Sequence, residues 1–387
     1  MRSCLVVLFA MLSCACGKQG APAAASGAPA GNATDAAPGD SSRGADDAKH
    51  LNLYIWADYL APDTLPNFEA RTGIKVSVSF FDTNETLETK VLTGSSGFDV
   101  VMPSAPYMQR QIAAGAYQPL DKSKLPNLAH MDKALMAAAA QYDPDNRYGI
   151  IYIRGSEGIG YDQDAVARRL PGLAPDSWSL VFDPANAAKL ADCGIQIMDN
   201  PAGVLRLVLA YLHRDPNAPS ETDLEAAQST LLAVRRYVRA IDSFNSTNAL
   251  ANGDVCVLVG YNGDVSLARA RALEQKRNLR LGFITPKEGA IQWFDMMAIP
   301  KDAPHPQAAH AFIDYVMEPA VMAAISNSMK YANANADATA LVDKGVTADP
   351  IIYPGPEESR RFFVQLADTP ERARALTRIW QRFKTGQ

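Results

Sequence analysis

Residues 51–81 read LNLYIWADYLAPDTLPNFEARTGIKVSVSFF and contain the patterns of a strand, a helix and a second strand, in that order. Residues 51–56 form a short, mostly apolar run that is typical of a buried strand. Residues 62–71 have the apolar spacing of an amphipathic helix, which Gly73 closes. Residues 75–81 then alternate polar and apolar side chains, as in a half-buried strand. This order favours parallel strands joined by a crossover helix.

The same alternation continues along the chain, so we predict an α/β fold. The other predicted helices are 87–93, 107–115, 224–239, 308–318 and 370–383, and the other predicted strands are 98–102, 255–260 and 291–299. Residues 49–387 are numerous enough to form two lobes with separate cores. We predict that the first lobe contains 49–154 and 271–329, and that the second contains 155–270 and 330–387.

Three sets of residues combine an aromatic side chain with a nearby aspartate. They are Trp56–Asp58–Tyr59, Tyr261–Asp264 and Trp293–Asp295. An aromatic face attracts a cation, and a carboxylate adds charge-assisted hydrogen bonds, so the combination suits the capture of an ammonium group. Any one such pair is also common on ordinary half-buried surface. Because ligands of open α/β sheets bind at the carboxyl ends of strands, we expect these sets and Ser104 to meet there, in a cleft between the lobes.

The N-terminal residues predict an exported chain with a lipid anchor. Residues 1–16 (MRSCLVVLFAMLSCAC) have a positive start, an apolar run and small residues, the pattern of a secretory signal that is too short to span a membrane. Its end resembles a bacterial lipobox, with Cys16 or Cys14 as the lipidated residue. Residues 17–48 contain no large apolar side chain, so we expect a disordered tether.

Charge and cysteine content narrow the range of partners. The chain carries a net charge of −5 and has no lysine or arginine cluster that would track a phosphate backbone, so we predict that it does not bind nucleic acid. After the signal peptide, no apolar stretch has the length of a transmembrane helix. Cys193 and Cys256 are the cysteines of the body; in an oxidising compartment they could form a disulfide or remain two separately buried thiols.

Five longer motifs carry a resemblance to a known family. They are IWADYLAPDT (55–64), GFDVVMPS (97–104), QPLDKSKLP (118–126), ANGDVC (251–256) and YANAN (331–335). With these motifs the chain resembles the periplasmic polyamine-binding proteins of ABC importers, and most closely the putrescine binders among them. The resemblance extends over nearly the whole body.

The resemblance implies a type II periplasmic-binding-protein fold, in which two α/β lobes close on the ligand. It implies a monomer in the periplasm, tethered by its lipid, that captures putrescine, spermidine or agmatine and delivers it to an ABC permease in the inner membrane. It implies no cofactor and no metal, and it implies a disulfide between Cys193 and Cys256. The implied ligand-binding residues are Trp56, Asp58, Tyr59, Ser104, Tyr261, Asp264, Trp293, Asp295 and Tyr331.

Some positions depart from the family's pattern. Ala57 replaces a serine that often contacts the ligand, and Ala202 and Gly203 match a segment in which putrescine binders carry a glutamate for the distal amine. Neither residue can supply a carboxylate, although Glu157 or water could substitute. Arg154 and Glu157 are charged residues in a stretch that is apolar or neutral in the relatives. Arg154 could be exposed, or it could face the cleft, repel a dication and favour a ligand with a carboxylate.

Some features of the sequence also occur in proteins with other functions. Paired acids beside aromatic side chains also occur in glycosidases, but no acid and base can be distinguished here, and no nucleophile elbow, zinc motif or phosphate loop is present, so we predict that the chain is not an enzyme. A lipoprotein that serves a sensor would have the same cleft. A sugar, another amine or an amino-acid-like ligand also stays open. Neighbouring ATPase and permease genes would favour import.

Overall fold

The structure is a computed structural model and describes residues 49–387. The predicted signal peptide (1–16), the predicted tether (17–48) and the candidate lipid sites Cys14 and Cys16 lie outside the described residues.

Strands and helices alternate along the described chain. The strands are β1 (His50–Trp56), β2 (Lys75–Phe81), β3 (Val100–Val101), β4 (Gly149–Asp162), β5 (Ile195–Ile197), β6 (Val238–Ile241), β7 (Val257–Tyr261), β8 (Leu281–Ile284), β9 (Ala290–Ala298), β10 (Ala332–Asn333) and β11 (Phe362–Val364). The α-helices are α1 (Thr64–Thr72), α2 (Asn84–Thr93), α3 (Ala105–Ala113), α4 (Lys133–Ala139), α5 (Gln163–Arg169), α6 (Ser179–Phe182), α7 (Pro184–Leu190), α8 (Pro201–Tyr211), α9 (Glu221–Val234), α10 (Ser246–Asn252), α11 (Asn262–Glu274), α12 (Pro306–Val316), α13 (Pro319–Met329), α14 (Ala336–Thr339), α15 (Lys344–Thr347), α16 (Pro356–Ser359) and α17 (Pro370–Thr385). Short 3-10 helices cover Lys122–Lys124, Pro126–His130, Pro144–Asn146 and Arg235–Tyr237.

The strand–helix–strand unit of the first lobe is confirmed. β1 pairs with β2 in parallel over its whole length, and it also pairs with β3 in parallel. α1 ends at Gly73, whose φ of 71° lies in the left-handed region that glycine adopts without strain. The helix begins two residues later than predicted, because Thr64 N–H donates to Ala61 O in a turn that includes Pro62.

Two long antiparallel strands connect the lobes. β4 pairs through its first half with β9 and through its second half with β7 and β8. Its first half therefore belongs to the sheet of the first lobe and its second half to the sheet of the second lobe. In the second lobe, β5 lies between β6 and β7 and runs parallel to both. The sequence pattern predicts β9 but not β4, because the apolar run of β4 is interrupted by Arg154, Glu157 and several glycines.

The predicted helix 224–239 is wrong at its end. α9 stops at Val234, and residues 238–241 form strand β6, in which Val238 lies opposite Ile195 of β5. The edge of β5 offers backbone hydrogen bonds to residues 238–241, and these bonds stabilise a strand more than the local sequence stabilises a helix. Val238 and Ile241 are β-branched, which also favours a strand.

Two segments of the chain pack in a different lobe from the one predicted for them. The first-lobe core includes residues from 51 to 153 and from 294 to 352, together with Val364. The second-lobe core and a smaller cluster beside it contain residues from 159 to 291 and from 376 to 383, together with Ile351. Residues 271–290 therefore pack in the second lobe, because β8 pairs with the second half of β4. Residues 330–347 pack in the first lobe, because β10 pairs with β4 beside Ile153.

The predicted disulfide between Cys193 and Cys256 is confirmed. The two Cα atoms are 5.4 Å apart, within the usual range for a bridge. The bond fastens the segment before β5 to the segment before β7, next to the backbone hydrogen bond that Cys256 N–H donates to Gly194 O at 3.0 Å. It therefore secures the sheet of the second lobe.

Within residues 49–387 no single helix has both the length and the apolar composition of a membrane span. Only together do the helices α12 and α13 reach the length and apolar composition of a membrane span, and the pair is bent by 75°. Most of their apolar side chains are buried in the first-lobe core.

Candidate functional site

The crossing strands present four of the candidate side chains on one face. In the paired register, Asp295 of β9 lies opposite Ile153 of β4, and Trp293 lies opposite Gly155. Glu157 of β4 lies opposite Tyr261 of β7. Because alternate residues of a strand share a face, Asp295, Trp293, Glu157 and Tyr261 all project from the same side of the sheet where the two lobes meet.

This position corrects one expectation about the strand ends. Trp56 and Tyr261 are the last residues of β1 and β7, and Ser104 follows β3, as predicted. Trp293 and Asp295 instead lie in the middle of β9. The middle of a strand can line a cleft here because β9 crosses between the lobes.

Asp295 is the centre of a hydrogen-bonded group in the first lobe. The Ser104 hydroxyl donates to Asp295 Oδ1 at 2.6 Å, and the Tyr59 hydroxyl donates to Oδ2. Asn84 Nδ2 donates in turn to Ser104 Oγ at 3.0 Å and orients that hydroxyl. Burial raises the pKa of Asp295 to about 6, against the opposing effect of the Ser104 and Tyr59 hydrogen bonds. The carboxyl is therefore positioned, and its charge is only partly compensated by the protein.

Asp264 supplies a second carboxylate from the second lobe. It lies in the first turn of α11, directly after Tyr261, and the helix N-terminus favours negative charge there. Its one hydrogen bond among the described residues comes from Thr247 Oγ1, at a long 3.5 Å. Burial raises the pKa of Asp264 to about 6. Asp264 and Asp295 thus both carry charge that a cation would stabilise.

Aromatic rings surround the crossing strands. Trp293 makes edge-to-face contacts with Tyr261 at 6.4 Å and with Tyr331 at 5.5 Å between ring centroids. A side chain at Gly155 would overlap the Trp293 ring, so glycine is what lets the indole lie against the strand. The indole nitrogen is buried and has no hydrogen-bond acceptor among residues 49–387.

A second aromatic pair is formed in the first lobe by Trp56 and Tyr59, whose ring centroids are 6.4 Å apart. The Trp56 indole donates to Met102 O at 3.1 Å, which fixes the plane of the ring. Tyr59 also packs against Tyr152, whose hydroxyl donates to Tyr59 O. These aromatic rings and the two carboxylates offer apolar surface and negative charge together.

Asp58 occupies a different environment from the other candidate acids. Its side chain is exposed and its backbone has a φ of 57°. None of the hydrogen bonds among the described residues involves its carboxylate. The structure therefore brings Tyr59, Ser104 and Asp295 into one network and leaves Asp58 outside that network.

The two unusual residues of β4 separate onto opposite faces. Arg154 lies on the face away from Trp293 and Asp295, half-buried, and its Nε donates to Asn333 O at 3.0 Å while its guanidinium covers the Tyr353 ring. It therefore does not project toward the face that carries the candidate acids. Glu157 does project toward it and is buried; burial raises its pKa to about 8.

Two α/β lobes joined by crossing strands, with acids and aromatic rings where the lobes meet, define a two-lobed solute-binding protein. The chain belongs to the family of bacterial extracellular solute-binding proteins, whose family model matches residues 65–354. Within residues 49–387 no group of three or more His, Cys, Asp or Glu side chains is arranged to hold a metal ion.

Relatives and solved structures agree with this assignment. The putrescine-binding periplasmic protein SpuD of Pseudomonas aeruginosa (strain UCBPP-PA14) is 44% identical over 88% of this chain and 93% of the relative. The putrescine-binding periplasmic protein PotF of Escherichia coli (strain K12) is 44% identical over 88% of this chain and 92% of the relative.

Among solved structures, the substrate-binding protein PotD of Streptococcus pneumoniae matches with a TM-score of 0.77 at 24% identity, covering 87% of this chain and 99% of that one. The Tp0655 lipoprotein of Treponema pallidum matches with a TM-score of 0.74 at 23% identity, covering 86% and 99%. These two likenesses concern the fold, and the predicted two-lobed α/β fold is confirmed.

Proposed function

We propose that this chain is the extracytoplasmic binding protein of an ABC importer and that it captures a polyamine, with putrescine as the first candidate. The observation that carries the proposal lies at Tyr331: its ring contacts the Trp293 ring at 5.5 Å between centroids, and burial together with the charges of Asp264 and Asp295 raises its pKa. Two partly uncompensated carboxylates attract an ammonium group, and the aromatic faces bury the alkyl chain and attract the cation. The 44% identity to two putrescine-binding relatives supports the same ligand class.

In the proposed complex the acidic side chains contact the ammonium group and the aromatic side chains contact the methylenes. Asp295 and Asp264 accept hydrogen bonds from an ammonium group, while Ser104 and Tyr59 hold Asp295 in position. Trp56, Tyr261, Trp293 and Tyr331 form the aromatic walls along the methylenes. The exposed Asp58 contributes long-range attraction at most, since an exposed charge is screened by solvent.

Closure of the lobes couples ligand capture to delivery. The acids come from both lobes, so a cation held by Asp264 and Asp295 stabilises the closed arrangement. Binding proteins that close in this way present a different surface to a permease than they do when open. We infer a role in transport rather than catalysis, in keeping with relatives that are named as binding proteins.

The location follows from the N-terminal sequence. We propose that the signal peptide directs export, that Cys16 or Cys14 carries lipid, and that the body works as a monomer in the periplasm beside the inner membrane. In a Gram-negative host the full chain should fractionate with membranes and incorporate labelled palmitate. Changing both Cys14 and Cys16 to Ser should abolish labelling; labelling that survives would refute the anchor.

Calorimetry on the soluble body tests the ligand. Protein freed of bound ligand by unfolding and refolding is titrated with putrescine, spermidine, agmatine and, as a matched control, the monoamine butylamine. We expect putrescine to bind at micromolar concentration or below and butylamine to bind far more weakly. A failure of every polyamine to bind below about millimolar, which corresponds to about 4 kcal/mol of binding free energy, would refute the proposed ligand class.

A further inference from the structure

Glu157 is a buried acid with one unsatisfied oxygen. Its side chain is 3% exposed, and its Oε1 accepts a hydrogen bond from Asn200 Nδ2 at 3.3 Å. No group among residues 49–387 donates a hydrogen bond to Oε2. A buried carboxylate is costly unless a donor or a cation meets it, so Oε2 marks a place for a positively charged group.

Arg206 does not fill that place. Its charge lowers the pKa of Glu157, but burial has the larger effect and raises it. The Arg206 guanidinium forms a two-point ion pair with Asp368, at 2.7 and 3.1 Å. Its remaining hydrogen bonds go to Asn217 Oδ1, Ala202 O and Leu366 O. Every part of the guanidinium is therefore engaged away from Glu157.

Gly203 provides the space in which the Glu157 carboxyl lies. A Cβ atom at 203 would stand 2.6 Å from Asn200 Nδ2, 2.8 Å from Oε2 of Glu157 and 2.9 Å from its Oε1. The backbone of Gly203 lies in α8 outside the left-handed region, and its N–H donates to Asn200 Oδ1 at 3.0 Å. The position therefore requires a glycine for space rather than for backbone freedom. A longer side chain at 203 and a glutamate at 157 compete for one volume.

We propose that Glu157 is the second anionic end of the site and accepts the ammonium group of the ligand that lies away from Asp295. The proposal rests on the proposed polyamine-binding function and assigns the distal carboxylate to β4. Tyr261 lies opposite Glu157 in the strand register, and its hydroxyl is 3.4 Å from Asn200 Nδ2, so aromatic and polar groups already surround the carboxyl.

The strand register sets the length of the ligand. Asp295 lies opposite Ile153, and Glu157 is four residues further along β4 on the same face. At about 3.3 Å per residue the two positions are separated by about 13 Å along the strand. Two charge-assisted hydrogen bonds of about 2.8 Å each leave about 7–8 Å between the two nitrogens. That span suits an extended diamine with four or five carbons.

The test compares a diamine with a monoamine in wild type and Glu157→Gln. Glutamine keeps the shape of the side chain and the contact with Asn200 but removes the charge. We expect putrescine affinity to fall at least about tenfold, because a hydrogen bond to a charged group is lost. Butylamine, measured by competition at high concentration, should change less than about twofold. Unchanged putrescine affinity, or equal losses for both amines, would overturn the role of Glu157.

A second pair of variants tests the position of the charge. Glu157→Ala should bind putrescine weakly. Glu157→Ala/Gly203→Glu should regain most of the lost affinity, because the new glutamate projects into the vacated space once the Asn200 amide, 2.6 Å from a Cβ atom at 203, turns aside. Thermal melting is the check that both variants are folded. A folded double variant that binds no better than Glu157→Ala contradicts the proposal.

The two proposals fail separately. If wild type binds putrescine and Glu157→Gln binds it equally well, the proposed function stands and the role of Glu157 falls. If wild type binds none of putrescine, spermidine and agmatine, both fall.

Discussion

Replacement of Asp295 by asparagine should separate ligand binding from stability. Asp295→Asn keeps the size of the side chain and an acceptor for the Ser104 hydroxyl, which donates at 2.6 Å in the native protein. It removes the charge that an ammonium group would meet. Losing a hydrogen bond between charged groups costs about 1.5–3 kcal/mol. The Kd for putrescine should therefore rise about tenfold to more than a hundredfold.

The ligand-free variant should not be less stable than wild type at pH 7.5. Burial raises the pKa of Asp295 from 3.8 to about 6, so between these values the folded protein binds more protons than the unfolded chain. The stability of wild type consequently falls as the pH rises through this window, by up to about 3 kcal/mol at 1.36 kcal/mol per pH unit. Asparagine does not ionise, so the variant avoids the loss of stability that comes from the buried charge of Asp295. This gain offsets the poorer hydrogen bonding of an amide group with the hydroxyls of Ser104 and Tyr59, which both donate to the native carboxylate.

Calorimetry with putrescine measures the affinity, and thermal melting without ligand measures the stability. The matched control is Asp58→Asn. Asp58 is an exposed acid of the same type, and asparagine tolerates its φ of 57°. The control should bind putrescine within about twofold of wild type, since an exposed charge contributes little. The reasoning fails if Asp295→Asn binds within twofold of wild type, or if Asp58→Asn loses as much affinity as Asp295→Asn.

Three further predictions concern stability and pH. Cys193→Ser should lower the free energy of unfolding by about 4 kcal/mol, because the bridge to Cys256 spans 63 residues; a loss below about 1 kcal/mol in urea denaturation would contradict this estimate. Asp368→Asn should cost about 3–5 kcal/mol by leaving Arg206 buried without its ion-pair partner, whereas a variant as stable as wild type would show that the pair is dispensable. Burial raises the pKa of Glu157 to about 8, so putrescine binding at pH 7 should release a proton from this carboxyl, and the affinity for putrescine should increase as the pH rises to about 8. Calorimetry in buffers of different ionisation enthalpy measures the number of protons released. A number of zero refutes the prediction. The other groups whose charge acts on this carboxyl or responds to it are Arg206, Tyr261 and Tyr142.

Local sequence patterns were sufficient for elements that make their own contacts. The alternating run of β2, the closing Gly73 of α1 and the apolar spacing of α17 each reflect a periodicity that a short segment determines. The motifs around Trp56, Ser104 and Tyr261 also identified residues that the structure places at the ends of strands. Residue 238 shows the limit, because a strand edge from elsewhere in the chain overrode a helical pattern.

The lobe assignment of 271–290 and 330–347 depended on pairing partners. Both segments pair with different halves of β4, a strand that the sequence analysis did not predict. Without that strand, nothing in the local sequence indicates the lobe in which a neighbouring segment packs. Contacts between distant segments decide it.

The sequence by itself determined the chemistry available to this protein: an α/β chain with acids beside aromatic residues, and a pair of cysteines able to bridge. Only the tertiary structure decided which of these groups act together. The register of β4 against β9 and β7 puts Glu157 on the same face as Asp295 and Trp293 and puts Arg154 on the other face, although Arg154 and Glu157 are only three residues apart in the chain. The physical reason is that side chains alternate between the faces of a strand, and only long-range pairing determines which face meets the other lobe.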